Sequence, residues 1–143
     1  YHRARISNSI FADNGTYGIV EHNAQGDAST MHNCFVNNTL GDYYSLDPTV
    51  GAITGAAEIN ARTEADGTTW GFLSSGNIDG DPGFVNAAAG DFRLRSGSRC
   101  IDAGTNTVEI AEDLYGTPRP IGRIFDIGSF ERERDRGTVL LVR

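Results

Sequence analysis

A chain of 143 residues is long enough for one domain with a modest core. With 19 acids against 12 bases, a net charge of −7, it lacks the basic face that phosphate binding needs, which excludes nucleic acid as an expected partner. All 12 bases are Arg, which rules out a lysine base or Schiff base, and no apolar run approaches the roughly 20 residues that span a bilayer.

The chain begins at Tyr1 rather than Met and shows no signal peptide, so it reads as a mature form or a piece of a longer protein. Its first elements repeat. ISNSIFADN, from Ile6, aligns with MHNCFVNNT, from Met31, at a constant offset of 25 residues: Ile6 with Met31, Asn8 with Asn33, Ser9 with Cys34, Ile10 with Phe35. Each segment is strand-like, with partly alternating apolar residues and flanking Asn or Gly. Both are too short, and too rich in Asn, Ser and Gly, for an amphipathic helix. A step of this size belongs to solenoids. It suits one coil of a parallel β-helix, three short strands joined by bends, with coils stacked roughly 4.8 Å apart. Asn8 over Asn33 would form a two-rung ladder of side-chain amides with a structural role. Residues 1–40 are therefore read as regular coils.

The rhythm breaks over 41–76, read as one irregular coil carrying an insertion. AITGAAEINA there suits a strand or a short helix, and a polar loop holding Trp70 follows. Tyr43, Tyr44 and Trp70 are candidate carbohydrate-binding residues, because aromatic rings stack on the apolar faces of sugars and loops often carry function. Half-buried packing is the competing reading. In NIDGDPGFVN, Asp79 and Asp81 are spaced as in a calcium loop, but calcium takes roughly six to eight oxygens from several segments. The stretch reads as a coil corner, Asp before Pro opening a turn, and no cofactor is expected, with a calcium site as the alternative. Cys34 and Cys100 make no disulfide framework. They read as buried thiols, with a single bridge as the alternative.

Four further motifs follow in order: DPGFVN (Asp81–Asn86), DFRLRSGSRCIDAGTN (Asp91–Asn106), EDLYGTPRP (Glu112–Pro120) and DIGSFE (Asp126–Glu131). Together they resemble the C-terminal end of bacterial right-handed parallel β-helix proteins of the pectate-lyase-like group, many of them secreted or on the cell surface. The resemblance implies an all-β, right-handed parallel β-helix of roughly four to five coils with a C-terminal closing coil, as a single domain over 1–143. Residues 77–131 would be terminal coils and 132–143 a tail. Three departures stand out: Arg99 where the pattern has Pro, Tyr115 where Asp is common, and the tail itself. Asp102, Arg119 and Asp126 share this matched region. Arg119 is expected to clamp the last coils by reaching the carboxylate of Asp102 or Asp126, since a guanidinium holds carboxylates bidentately.

Catalytic signals are absent at the level of motif. Pectin lyases of this architecture carry acids recurring at the coil period, whereas here Asp13 would lie over Asn38 and Glu21 over no acid. There is no Gly-His-Gly motif, G-x-S-x-G elbow or phosphate-binding glycine loop. The expected function is a structural or polysaccharide-binding module of a secreted or surface protein. A polysaccharide lyase or glycoside hydrolase, or a fragment of one, is the alternative. Neither nucleic acid nor a membrane span is expected, and homo-oligomerisation through the N-terminal end is a further expectation, because an uncapped solenoid end exposes strand edges.

Overall fold

The computed structural model describes residues 4–22, 28–62, 74–106 and 110–133. The protein is mostly β, with parallel strands in its larger sheets and almost no helix. Six strands make two successive circuits: β1 (Arg5–Ser7), β2 (Ile10–Ala12) and β3 (Tyr17–Glu21), then β4 (Ser29–Met31), β5 (Cys34–Val36) and β6 (Gly41–Ser45). Each strand of the first circuit pairs in parallel with its counterpart in the second. A third circuit begins where Ser75 bridges to Met31 and β8 (Ile78–Asp79) adds to β5.

The step between circuits differs from the expected 25 residues. Ile6 pairs with Thr30, Ile10 with Cys34 and Ile19 with Tyr43, a register of 24 in all three ladders. The correction is one residue, but in a strand one residue is a change of face. Phe11 stacks on Phe35, ring centroids 5.2 Å apart, inside the circuit. Ile10, Cys34 and Ile78 form a parallel row on the opposite face of the same sheet. Side-chain similarity misled because backbone sets the period: Asn8 and His32 both turn a corner at positive φ (53° and 52°), as do Asp13 and Asn37 (55° and 52°). Asn and Asp tolerate this left-handed conformation better than most residues.

Asn8 therefore does not lie over Asn33. It faces a different segment, donating to the Thr105 carbonyl and accepting from the Thr105 N–H, both at 2.8 Å. The amide ladder runs one position along. The Asn33 side chain accepts from the Ser9 N–H (3.0 Å) and donates to the Ile6 carbonyl (3.0 Å) and to Asn77 Oδ1 (3.1 Å). Asn77 in turn donates to the Thr30 carbonyl and to Asn60 Oδ1. A second ladder joins Asn14 to Asn38 Oδ1 at 2.7 Å. Buried amides in these ladders are satisfied by the rungs above and below them, which is what makes their burial tolerable.

Between the second and third circuits the step lengthens to 44 residues, as Cys34 pairs with Ile78. Part of the added chain forms β7 (Ala52–Ile53), antiparallel to β6, and the single-turn helix α1 (Ala56–Asn60). The helix follows Gly55 (φ 97°), and the Asp79 carboxylate accepts the Ala56 N–H at 2.7 Å. Asp81 accepts the Gly83 N–H at 2.7 Å. The two acids of NIDGDPGFVN thus serve a helix start and a tight turn.

Two cores result. Ile19, Phe35, Tyr43, Ile53, Ala56 and Ile59 fill the inside of the circuits, with Ile6, Phe11 and Val50 packed against them. Cys34, Leu94, Cys100 and Ile127 form the second, with Ile10, Ile78 and Phe84 alongside. The C-terminal segment thus lies against the outer face of the β2–β5–β8 sheet. Of the stretch 77–131, β8 joins the parallel ladder, and among the described residues the chain after it adds no further parallel strand. Its strands, β9 (Phe84–Asn86) and β10 (Asp91–Leu94), form an antiparallel hairpin through one 3₁₀ turn and Gly90 at φ 76°. No helix among the described residues is long and apolar enough to cross a membrane.

Candidate functional site

Of the aromatic residues singled out in the sequence, Tyr43 and Tyr44 lie on opposite faces of β6. Tyr43 is fully buried. Its hydroxyl donates to Glu21 Oε2, and the Arg62 guanidinium lies 4.2 Å over its ring. Burial and the Glu21 carboxylate push the phenol up to about 12. The alternation of β6 turns Tyr44 the other way, half-buried, with its ring stacked on Tyr17 at 4.8 Å. Trp70 lies outside the described residues.

The tail residues do meet, in a different arrangement from the one expected. The carboxylate partner of Arg119 is Glu131, Nε to Oε1 at 2.8 Å, with both side chains almost wholly buried. Nη2 of Arg119 donates to the main-chain carbonyls of Asp126 (2.8 Å) and Gly128 (3.3 Å), and the guanidinium stands 4.8 Å over Phe125. The expected carboxylate contact with Asp102 or Asp126 is replaced because Asp126 is engaged elsewhere. It accepts the Asp102 N–H at 2.8 Å and the Arg132 N–H at 2.7 Å. Glu131 also accepts the N–H groups of Asp126 and Ile121. This is a closed network of charge-assisted bonds that orders an otherwise irregular stretch. Among the described residues, no group of three or more His, Cys, Asp or Glu could hold a metal ion.

Above this network opens a cleft of about 370 Å³ between the β9–β10 hairpin and the loop 113–117. Leu94 and Phe130, both buried, line it with apolar surface. Tyr115 stands at its edge, 71% exposed, with its ring 4.6 Å from that of Phe130. The loop is held tightly. Asp113 Oδ1 accepts the N–H groups of Tyr115 (2.8 Å) and Thr117 (2.9 Å), Oδ2 accepts that of Glu131 (3.0 Å), and Gly116 takes φ 79°. Burial works against the charge on Asp113, but these donors outweigh it and keep the carboxyl below its usual range. Arg93 also lines the cleft, its fork aligned by two bonds to Asp91 at 2.8 and 2.6 Å.

An exposed ring fixed beside an apolar floor, with a guanidinium and the Thr117 hydroxyl nearby, suits a ligand with one apolar face and a fringe of hydroxyls. Asp113 and Glu131, the two carboxylates best fixed in the cleft, are engaged by main-chain donors and by Arg119. In the sequence Tyr115 stands out only as an aromatic residue where the proteins that the tail resembles commonly have an acid. A scan against protein-family models, a search of curated proteins and a search of solved structures each returned no match.

Proposed function

We propose that the chain is a right-handed parallel β-helix module of a secreted or cell-surface protein, binding polysaccharide through the Tyr115 cleft without turning it over. The 24-residue step, held in three ladders, supports the architecture. The observation that carries the binding reading is Tyr115 itself, 71% exposed yet held by a hydrogen-bonded loop against Phe130. A large ring left in water at this fixed angle costs solvation, and a stacked pyranose would recover it. The outer edges of β1, β2 and β3 pair with no further strand among the described residues. They would accept another rung, from a second copy or from upstream chain; sedimentation at micromolar concentration separates a dimer from a monomer.

The binding test is a glycan array followed by titration of the best oligosaccharide against wild type and Tyr115→Ala. Loss of the stacking ring should weaken binding about tenfold or more. Parallel assays for new reducing ends and unsaturated products should stay flat. Binding that survives Tyr115→Ala unchanged refutes the cleft. Turnover abolished by changing a single acid would instead make the chain a lyase or hydrolase.

A further inference from the structure

Cys34 and Cys100 are both free, both fully buried and members of one apolar cluster. They come from the two layers of the molecule. Cys34 is in β5, paired with Ile10 on one side and Ile78 on the other. Cys100 lies in the C-terminal segment, where its carbonyl accepts the Ile127 N–H at 2.8 Å. The Cys34 thiol donates to the Gly80 carbonyl at 3.3 Å, and the two thiols lie close enough for each to perturb the ionisation of the other. Each layer thus contributes one cysteine to the same buried cluster.

We propose that Cys34 and Cys100 form a disulfide that pins the C-terminal layer to the outer face of the β2–β5–β8 sheet. Either cysteine can open the exchange while the chain is still unfolded and both thiols are accessible, and the route through Cys100 is representative. With a small disulfide such as oxidised glutathione as oxidant, the Cys100 thiolate attacks one glutathione sulfur, and the other glutathione leaves as a thiol. Cys34 then loses its proton and attacks the Cys100 sulfur of the mixed disulfide, expelling the second glutathione. Two electrons and two protons pass from the cysteine pair to the oxidant, giving one protein disulfide and two glutathione thiols. Because neither sulfur reaches solvent in the folded chain, the exchange belongs to folding.

The experiment refolds the full chain from denaturant with excess oxidised glutathione, then unfolds it and alkylates. The expected product has an intact mass lower by two hydrogens and no alkylatable thiol. The cysteines stand roughly 65 residues apart in sequence, so the bonded form should melt about 10 °C above the dithiol form. Cys100→Ala and Cys34→Ala should each melt at one temperature in either redox state. Two alkylatable thiols after oxidative refolding, or a stable glutathione adduct on one cysteine, would overturn the proposal. The wild-type mass stands as a test even if both variants fold poorly, and no outcome bears on the Tyr115 cleft.

Discussion

Replacing Asn33 with Ala tests the 24-residue register directly. Asn33 is fully buried, and its side chain partners the Ser9 N–H and the Ile6 carbonyl in the rung below. Truncation leaves the Ser9 N–H without a partner, while the Ile6 carbonyl keeps its place in the β1–β4 ladder. An orphaned buried polar group costs about 1–3 kcal/mol. The Ser9 site is only partly buried, so the lower half of that range applies, about 1–2 kcal/mol and about 3–6 °C in melting midpoint. Urea unfolding of wild type, Asn33→Ala, Asn77→Ala and the double variant gives the loss and the coupling. Asn33 donates to Asn77 Oδ1, which also accepts the Asn33 N–H at 3.0 Å, so the two changes should be non-additive by about 1 kcal/mol. Asn8→Gly, which keeps a residue suited to φ 53°, should couple to Asn33→Ala much less, because Asn8 bonds Thr105. Additivity of Asn33 with Asn77, together with strong coupling of Asn33 to Asn8, would refute the register and restore a step of 25.

Arg119→Ala strands Glu131 in a site where both side chains are nearly inaccessible, and should cost about 3 kcal/mol by calorimetry; a change below 1 kcal/mol would mean that the network does not hold the segment. Acid stability should carry opposite signatures from two carboxyls. Asp113 is depressed in the folded chain, so its contribution is complete above the unfolded value of 3.8 and is lost as pH falls through the folded pKa; Asp113→Asn should therefore flatten the acid limb of a stability–pH curve. Burial raises Asp126, so its contribution is present below 3.8 and lost as pH climbs through the folded pKa. Asp126→Asn should relieve that loss, and a steeper fall in the same window would contradict it.

The ladder positions were legible in the sequence to within one residue, and the reason for the error is local. Asn8 and Asn33 share a residue type but not a job: one turns a corner at positive φ, the other is an interior rung. The true counterpart of Asn8 is His32, whose Nδ1 bonds the Ala103 carbonyl at 2.9 Å much as Asn8 bonds Thr105. Matching by letter cannot pair Asn with His; only backbone conformation does. Arg119 meets the Asp126 main chain in this network, and Asp102 joins it only through its N–H to the Asp126 carboxylate. Which carboxylate the guanidinium takes is decided by Asp126 being occupied by two main-chain donors, a matter of geometry that spacing does not encode. Tyr43 and Tyr44 were indistinguishable as letters, and strand alternation buried one and left the other at the surface.

The sequence did hold a sign of the second core. A strand covered on one face alternates polar with apolar, whereas Ile10-Phe11 and Cys34-Phe35 are apolar at consecutive positions. Such pairs mark a sheet with apolar neighbours on both faces. Phe11 and Phe35 point to the inner core, Ile10 and Cys34 to the outer one, and among the described residues the C-terminal segment covers the outer face. That placement makes Leu94 serve twice: it belongs to the outer core and also lines the Tyr115 cleft. The cleft is consequently built on the same layer that Cys34 and Cys100 would fasten to the sheet. Truncating Leu94 should therefore lower stability and weaken ligand binding together, whereas Tyr115→Ala should weaken binding alone.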